Sequence, residues 1–208
     1  MTQALFFDFD GTLSDSLTPV WVEYQRVMKK LGLPEKTYQE FCLHVGKPWE
    51  QVLLGMWPDL DIKSFTENYR FSEEKVKSIE GVNTALNVLS EDYVLGLLTS
   101  RGRLTLEKHM QCSKVDPKIF SAIYTRDDTR RHKPDPRVFN EITAKLGLDK
   151  AEALYVGDST VDALSARDAG IGFVGVLTGA AVEEDFMRFN VDFVDSVADL
   201  PDYLKQLP

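Results

Sequence analysis

Cysteine is almost missing from this 208-residue chain, which contains only Cys42 and Cys112. The two lie far apart and outside any Cys-x-x-Cys or Cys/His spacing. The sequence therefore predicts neither a disulfide framework nor a structural zinc site. Two unpaired thiols fit a reducing compartment, and we expect the protein to act in the cytoplasm.

Basic residues are also scarce, since 24 Lys and Arg stand against 33 Asp and Glu and leave a net charge of −9. Binding to a nucleic-acid backbone needs a basic surface, so we expect no nucleic-acid partner. A negative chain also repels anionic substrates at long range. A site for a phosphoester must therefore supply its own positive charge, from local cations or a metal.

Long apolar runs are missing as well. The apolar stretch after Met1 is interrupted by Asp8 and Asp10, which leaves it too short for a signal peptide or a membrane-spanning helix. We therefore expect no membrane role. Repeats and low-complexity segments are not found either, and the sequence does not determine the oligomeric state.

Apolar periodicity in the first part of the chain predicts one strand followed by helices. Residues 4–7 form a short apolar run that is typical of a buried strand, and residues 17–31 have the spacing of an amphipathic helix that ends at Gly32. Helical patterns continue at 41–45, 49–57 and 62–76, with no convincing strand between 34 and 80. We assign residues 16–80, called the cap segment below, to an all-helical insertion.

From residue 81 onward helices and strands alternate. The predicted helices are 82–89, 104–111, 136–146 and 162–169, and the predicted strands are 93–98, 119–123, 153–156, 173–176 and 192–194. Such alternation favours an α/β fold, a parallel sheet with helices on both faces. We assign residues 1–15 and 81–208 to this catalytic core.

Ligands bind beyond the carboxyl ends of the strands in such sheets, so the polar residues there are the candidates for chemistry. Asp8 and Asp10 follow the first strand, where two neighbouring carboxylates can act as nucleophile and general acid/base. Their mutual repulsion also favours a bound cation such as Mg²⁺. An exposed turn explains an Asp-x-Asp-Gly pattern equally well.

Three later strand ends or helix starts carry further candidates. Thr99 and Ser100 suit an anion site, although either is also a common helix N-cap. Lys133, between prolines and basic residues, can neutralise phosphate oxygens or belong to a solvated loop. Asp158 and Asp162, about one helical turn apart, can hold a cation or cap a helix. Together they form a coherent set of groups for phosphoryl transfer.

The segment Asp8-Phe9-Asp10-Gly11-Thr12-Leu13, Thr99, Lys133-Pro134 and Gly157-Asp158 through Asp162 match, in order, the four motifs of a known family. The chain resembles the haloacid dehalogenase superfamily of phosphohydrolases over nearly its whole length. The helical insertion is similar to the cap of its phosphoglycolate-phosphatase-like subgroup.

This resemblance implies a Rossmann-like core and a Mg²⁺-dependent phosphatase acting on a small-molecule phosphate ester. Asp8 would attack phosphorus and form an aspartyl-phosphate, while Asp10 would protonate the leaving oxygen and later activate water. Mg²⁺ would be held by the Asp8 carboxylate, the Asp10 main-chain carbonyl and Asp158, supported by Asp162. The second and third motifs, at Thr99, Ser100 and Lys133, would bind the phosphate.

Two alternatives of function stay open at this point. Phosphosugar mutases of the same family typically place a histidine early in the first cap helix, where this chain has Val20, which favours hydrolysis. A non-catalytic binding or regulatory module would need a broken motif, and none is visible. Lys47 is a candidate substrate contact in the cap segment, although an exposed lysine in an interhelical turn explains it too.

Two other residue types, tryptophan and histidine, receive structural rather than functional interpretations. We interpret Trp21, Trp49 and Trp57 as the core of the cap segment because all three lie in helical patterns. His44 and His109 have no visible partner in the sequence and are interpreted as ordinary structural residues.

Overall fold

The computed structural model describes residues 2–206 and contains one large sheet and one small ribbon. The strands are β1 (Ala4–Phe7), β2 (Ser14–Asp15), β3 (Lys77–Ser78), β4 (Val94–Leu98), β5 (Ala122–Tyr124), β6 (Ala153–Gly157), β7 (Gly172–Val176) and β8 (Asp192–Val194). Six of them form a sheet in the order β5-β4-β1-β6-β7-β8, with every neighbouring pair parallel. The predicted parallel α/β fold is confirmed.

Helices cover both faces of this sheet. Within residues 2–206 they are α1 (Leu17–Leu31), α2 (Tyr38–Cys42), α3 (Trp49–Met56), α4 (Ile62–Asn68), α5 (Val82–Asp92), α6 (Arg103–Ser113), α7 (Val138–Leu146), α8 (Thr160–Ala169), α9 (Glu183–Phe189) and α10 (Leu200–Leu204). Leu5 and Phe7 of β1 pack with α5, α6 and α10, whereas Phe6 packs with α7 and α8. Because successive side chains of β1 point to opposite faces of the sheet, the strand contributes to two separate apolar cores.

The cap segment has an apolar core of its own. Helices α1 to α4 pack around Tyr24, whose ring lies 5.3 Å from that of Phe41 and 5.2 Å from that of Phe65. Trp21 and Trp57 are buried in the same cluster, as their helical spacing predicted. Trp57 Nε1 also donates to the Pro34 carbonyl at 2.9 Å, because a buried indole N–H needs an acceptor.

A two-stranded ribbon joins the two ends of the cap segment. Ser14 of β2 pairs with Ser78 of β3 in antiparallel fashion. The sequence predicted no strand between residues 34 and 80, and β3 shows that prediction to be wrong. Two residues are too few to display the alternation that marks a strand, and the partner lies more than 60 positions away.

Two helices begin or end at other residues than predicted, because hydrogen bonds outside the helix set their limits. The helix predicted over 62–76 ends at Asn68, where the Arg70 N–H donates to Glu23 Oε1 of α1 at 2.5 Å instead of continuing the helix. Helix α7 begins at Val138 rather than 136, after a turn in which Asp135 Oδ1 accepts from the Arg137 N–H at 3.0 Å.

The observed structure also differs from the predicted one in the start of β5 and in two short helices near the end of the chain. β5 begins at Ala122 and not at 119 because a short 3₁₀ turn over Pro117–Ile119 precedes it. Helices α9 and α10 were not predicted, since seven and five residues offer little periodicity. Within residues 2–206, none of the helices has the length and apolar composition needed to cross a bilayer.

Candidate active site

The carboxyl ends of three adjacent strands bring the first candidates together. β1 lies between β4 and β6, with Phe7 in register with Leu97 on one side and Val156 on the other. Asp8, Thr99 and Asp158 follow those strands at one edge of the sheet, and each is at least 96% buried. The alternative of an exposed turn is wrong for Asp8.

Three buried carboxylates meet at this edge. Asp8, Asp158 and Asp162 each offer an oxygen within 4.8 Å of the others. Burial raises the pKa of Asp8 to about 7, with Lys133 opposing and Asp162 adding to the rise. Burial and repulsion from Asp162 and Asp8 raise the pKa of Asp158 well above its ordinary value. Carboxylates crowded in this way are costly without a cation.

The donor set fits a hard divalent cation such as Mg²⁺, which takes carboxylate oxygens. Among the described residues no hydrogen-bond donor is aligned on the buried Asp8 Oδ1, although the Lys133 ammonium lies 3.2 Å from it, so this oxygen can still serve as a ligand. Asp158 and Asp162 would complete the carboxylate side of the site. The chemistry of these oxygens therefore agrees with the magnesium that the four motifs imply.

The backbone packs closely around Asp158 and fixes its orientation. The carboxylate accepts from the Ala180 N–H at 2.8 Å and from Thr12 Oγ1 at 3.3 Å. Gly11, at φ 75°, passes so near that an added Cβ would lie 2.4 Å from Asp158 Oδ2. Ser159, not Asp158, caps helix α8. The capping interpretation of Asp158 is therefore wrong.

Lys133 lies inside the carboxylate cluster. Its Nζ donates to Asp162 Oδ1 at 2.6 Å and to the Tyr155 hydroxyl at 2.7 Å, and it lies 3.2 Å from Asp8 Oδ1 as an ion pair. The Tyr155 hydroxyl in turn donates to the Leu98 carbonyl at 2.9 Å. Lys133 is 1% exposed, so the alternative of a solvated loop is wrong for this residue.

These contacts keep Lys133 charged. Burial alone would lower the pKa of its ammonium, but the carboxylates of Asp162 and Asp8 more than offset this and hold the pKa above its ordinary value. A point charge 3.2 Å from Asp8 supplies the local positive charge that the acidic chain otherwise lacks. Asp162 has a second structural task, because its carboxylate accepts from Ser159 Oγ at 2.6 Å in the capping box of α8.

Asp10 is held by a residue that sequence reasoning missed. Arg101 donates from Nε to Asp10 Oδ2 at 2.8 Å and from Nη2 to Oδ1 at 2.6 Å, and the Ser16 hydroxyl also donates to Oδ1. Burial alone would raise the pKa of the Asp10 carboxyl, but Arg101 reverses this and holds the pKa below its ordinary value. The position of Arg101 two residues after Thr99 was the one signal available in the sequence.

His109 also has partners that only the fold reveals, contrary to its interpretation as an ordinary structural residue. It is 1% exposed on α6, and its Nδ1 lies 4.0 Å from Asp10 Oδ1. Its Nε2 lies 3.4 Å from Arg101 Nη1. Burial, followed by the charge of Arg101, lowers the pKa of His109 to about 4, so the ring is neutral at neutral pH.

Thr99 and Ser100 directly follow β4 and do not cap α6, whose N-cap is Gly102. Thr99 Oγ1 accepts from the Arg101 N–H at 3.2 Å, which leaves its hydroxyl hydrogen free to donate. The Ser100 hydroxyl donates to the Gly46 carbonyl at 2.5 Å. Ser100 therefore connects the edge of the sheet that carries Asp8 with the cap segment.

The turn that carries Lys47 packs tightly against the core. Gly46 has φ 92°, and a Cβ there would lie 2.7 Å from Ser159 Oγ and 2.9 Å from Val161 Cβ. Lys47 lies on the wall of the cavity described below, and its Nζ is 3.2 Å from His44 Nδ1. Burial, together with the charge of Lys47, lowers the pKa of His44.

A cavity of about 510 Å³ lies between the cap segment and the catalytic edge of the sheet. Asp8, Asp10 and Thr99 line its core side. Apolar and aromatic side chains of the cap segment line the other side, including Val20 and Trp49. Trp49 therefore differs from the other two tryptophans, because it faces the cavity as well as the core of the cap segment.

Comparison with known proteins agrees with this geometry. Residues 5–176 match the family of haloacid dehalogenase-like hydrolases. The chain belongs to this family. The motif resemblance drawn from the sequence is thereby confirmed.

Relatives of this hydrolase include two pyrophosphatases. It is 28% identical over 195 residues to pyrophosphatase PpaX of Bacillus pumilus, a match covering 91% of this chain and 90% of the relative. It is 31% identical over 206 residues to pyrophosphatase PpaX of Bacillus cereus strain G9842, covering 94% and 93%. Family and relatives make the hydrolase a phosphatase, as predicted, and not a non-catalytic module.

Solved structures share its fold. One is a predicted phosphoglycolate phosphatase from Haemophilus somnus, with a TM-score of 0.82, 22% identity and 98% coverage of both chains. Similarity at this level of identity supports the architecture of the core and says nothing about the substrate.

Proposed function

We propose that this phosphatase hydrolyses a small-molecule phosphate monoester through a covalent aspartyl-phosphate on Asp8. One observation carries the proposal. The Asp8 carboxylate lies at the end of the central strand, beside the ammonium of Lys133, and lines a cavity large enough for an organic substrate. A nucleophile beside a fixed cation suits an anionic substrate, because phosphoryl transfer depends on positioning and charge neutralisation.

In the proposed reaction, an Asp8 oxygen bonds to phosphorus while the bond from phosphorus to the alcohol oxygen breaks. The departing alcohol takes a proton from Asp10. Water then attacks the phosphorus of the aspartyl-phosphate and gives a proton to Asp10, so that phosphate leaves and Asp8 is regenerated. Arg101 orients Asp10 through its two hydrogen bonds and, by lowering its pKa, favours the carboxylate that takes the proton from water; one of these bonds has to open when Asp10 carries the proton for the alcohol.

Lys133, Thr99 and Ser100 are proposed to bind the phosphate oxygens. Lys133 contributes a charge and Thr99 a hydroxyl that is free to donate, whereas the Ser100 hydroxyl would exchange its bond to the Gly46 carbonyl for one to phosphate. Asp8, the Asp10 main-chain carbonyl, Asp158 and Asp162 would hold Mg²⁺, which would supply positive charge that neutralises the phosphoryl oxygens. The fit of the three carboxylates to a cation supports this assignment.

We further propose that residues 16–80 act as the cap over a core of residues 1–15 and 81–208. The separate apolar cluster of the cap segment and the β2–β3 ribbon at its ends support this division. Lys47 is the proposed substrate contact in the cap. The free thiols of Cys42 and Cys112 support a cytoplasmic location.

The mutase alternative receives no support from the cavity. A mutase needs a group that moves a proton to or from a sugar hydroxyl, and Val20, which faces the cavity, cannot do so. Because relatives are named pyrophosphatases, pyrophosphate belongs in any test beside organic esters.

The test compares wild type with Asp8→Asn on an aryl phosphate in the presence of Mg²⁺. We expect wild-type enzyme quenched with acid during turnover to carry covalent phosphate, and Asp8→Asn to release and carry none. Asp135→Asn is a matched control, since Asp135 pairs with Arg137 away from the cavity, and it should behave like wild type. Turnover by a correctly folded Asp8→Asn would refute the nucleophile assignment.

A further inference from the structure

Four rings form a row along the cavity that ends beside the proposed acid/base. The Trp49 ring lies 5.8 Å from that of Tyr69, which stacks on Phe71 at 6.0 Å with an interplanar angle of 9°. Phe71 lies 5.6 Å from His109, whose Nδ1 is 4.0 Å from Asp10. All four residues line the cavity.

Buried aromatic side chains of the cap segment pack against this row of rings. Tyr69 lies 5.9 Å from Tyr24 and 6.1 Å from Phe65, and Trp49 lies 6.1 Å from Phe65. Tyr24 and Phe65 are at most 1% exposed, whereas Trp49, Tyr69 and Phe71 are only partly buried. The row is therefore a supported aromatic surface that borders the cavity.

Two of the four Lys and Arg side chains on the cavity wall pair with carboxylates. Arg101 pairs with Asp10 at 2.6 Å, and Arg126 pairs with Glu50 at 2.7 Å. Arg70 donates to the Tyr69 carbonyl at 2.8 Å, and Lys47 Nζ lies 3.2 Å from His44 Nδ1; neither forms an ion pair with a described carboxylate. Away from the phosphate end, most of the cavity wall is thus formed by rings and aliphatic side chains, with Lys47 and Arg70 as its two unneutralised cations.

We propose that the preferred substrate is the phosphate monoester of an alcohol that carries an uncharged ring, which stacks against Tyr69 and Phe71 while its phosphate meets Asp8. The inference rests on the proposed hydrolysis at Asp8. A cavity of about 510 Å³ matches those that enclose ligands of many atoms, whereas pyrophosphate would leave apolar walls facing water.

The first experiment compares two esters of equal intrinsic reactivity. 2-Phenylethyl phosphate and ethyl phosphate are both primary alkyl monoesters, so a difference in kcat/KM reports on the ring. We expect 2-phenylethyl phosphate to be preferred by about tenfold or more, as an apolar group filling an apolar site provides. Pyrophosphate and phosphoglycolate, assayed at the same Mg²⁺ concentration, should also fall below it.

The second experiment removes a ring of the row without removing apolar volume. Phe71→Leu should lower kcat/KM for 2-phenylethyl phosphate about three- to tenfold more than it lowers kcat/KM for ethyl phosphate, because only the ring substrate loses a stacking partner. Phe193→Leu is the matched control: Phe193 is also partly buried but lies on β8, outside the cavity, and should leave both rates unchanged.

The outcomes separate this inference from the proposed function. Equal rates on the two alkyl esters, preference for pyrophosphate or phosphoglycolate, or a Phe71→Leu loss that is the same for both esters would overturn the ring specificity while hydrolysis at Asp8 stands. If none of the esters gives Asp8-dependent phosphate release, the proposed function itself fails. A ring preference that Phe71→Leu selectively reduces supports both.

Discussion

Arg101 holds Asp10 by two parallel hydrogen bonds, 2.8 Å from Nε to Oδ2 and 2.6 Å from Nη2 to Oδ1. The two residues are 91 positions apart and come from neighbouring strand ends. A planar guanidinium binding both carboxylate oxygens fixes the carboxylate plane, which no single hydrogen bond does.

Arg101→Met tests the orienting role of this pair. Without the guanidinium, Asp10 can rotate, and we expect kcat to fall by roughly tenfold or more because small misplacements of a catalytic group are costly. The acid limb of the kcat–pH profile should move to higher pH, since Arg101 holds the pKa of Asp10 below its ordinary value. Arg103→Met, which removes a pair with Asp128 instead, is the matched control. Identical profiles in the two variants would contradict the role.

Asp158→Asn tests the metal site. Burial and repulsion from Asp162 and Asp8 raise the pKa of Asp158, so an amide in its place removes a disfavoured charge and should change metal-free stability little. Wild type should gain about 2.7 kcal/mol of unfolding free energy when Mg²⁺ reaches a hundredfold excess over its dissociation constant. Denaturant titration with and without Mg²⁺ measures both quantities. A variant that keeps the full Mg²⁺ gain would remove Asp158 from the ligand set.

Gly46→Ala tests the contact between the cap segment and the core. The positive φ and the 2.7 Å approach to Ser159 Oγ leave no room for a Cβ, so the turn must shift away. We expect kcat/KM to fall by about tenfold as the cavity wall moves. Gly32→Ala is the control, because Gly32 has φ 62° but open space around it, and should cost only about 1 kcal/mol of stability with activity retained. Equal activity of the two variants would rule out a role for the close approach.

Glu23→Gln tests the hydrogen bonds that fix the chain next to Phe71. Its effect on stability should depend on pH. Glu23 is 8% exposed and accepts from Arg26 and from the Arg70 N–H, next to Phe71. The substitution should lower the free energy of unfolding by about 1–2 kcal/mol at neutral pH. The hydrogen bonds from Arg26 hold the pKa of Glu23 below its ordinary value of 4.5.

The sign of that pH dependence follows from the lowered pKa. A carboxyl with a depressed folded-state pKa stabilises the protein above its unfolded pKa, and this stabilisation is lost as the pH falls through the folded value. The difference between wild type and Glu23→Gln should therefore be full above pH 4.5 and shrink below it. Denaturation series at several pH values measure it, and a difference that grows in acid would contradict the assignment.

Much of the fold was predictable from local patterns. The run at 4–7 and the alternation after residue 81 predicted the parallel sheet, because strands and helices of ordinary length repeat their apolar residues several times. Short elements were not predicted, because β2, β3, α9 and α10 contain too few residues for a periodic pattern of apolar side chains. Their formation depends on partners from distant parts of the chain.

The sequence predicted some residues of the candidate site and missed others for the same reason. Asp8, Thr99 and Asp158 were found because each directly follows a recognisable strand, and parallel strands bring their carboxyl ends to one edge. Arg101 and His109 were not found as partners of Asp10, because a lone arginine or histidine in a helix-start pattern carries no sign of what lies across from it.

The sequence by itself determined the longer strands and helices, the family and the set of residues suited to phosphoryl transfer, since these depend on neighbours within a few positions. Only the tertiary structure decided that Arg101 holds Asp10, that Lys133 is buried between Asp8 and Asp162, and that Tyr69 and Phe71 lead toward the site. Those contacts join segments separated by tens of residues. Their geometry depends on how distant strands and helices pack together, which no local pattern encodes.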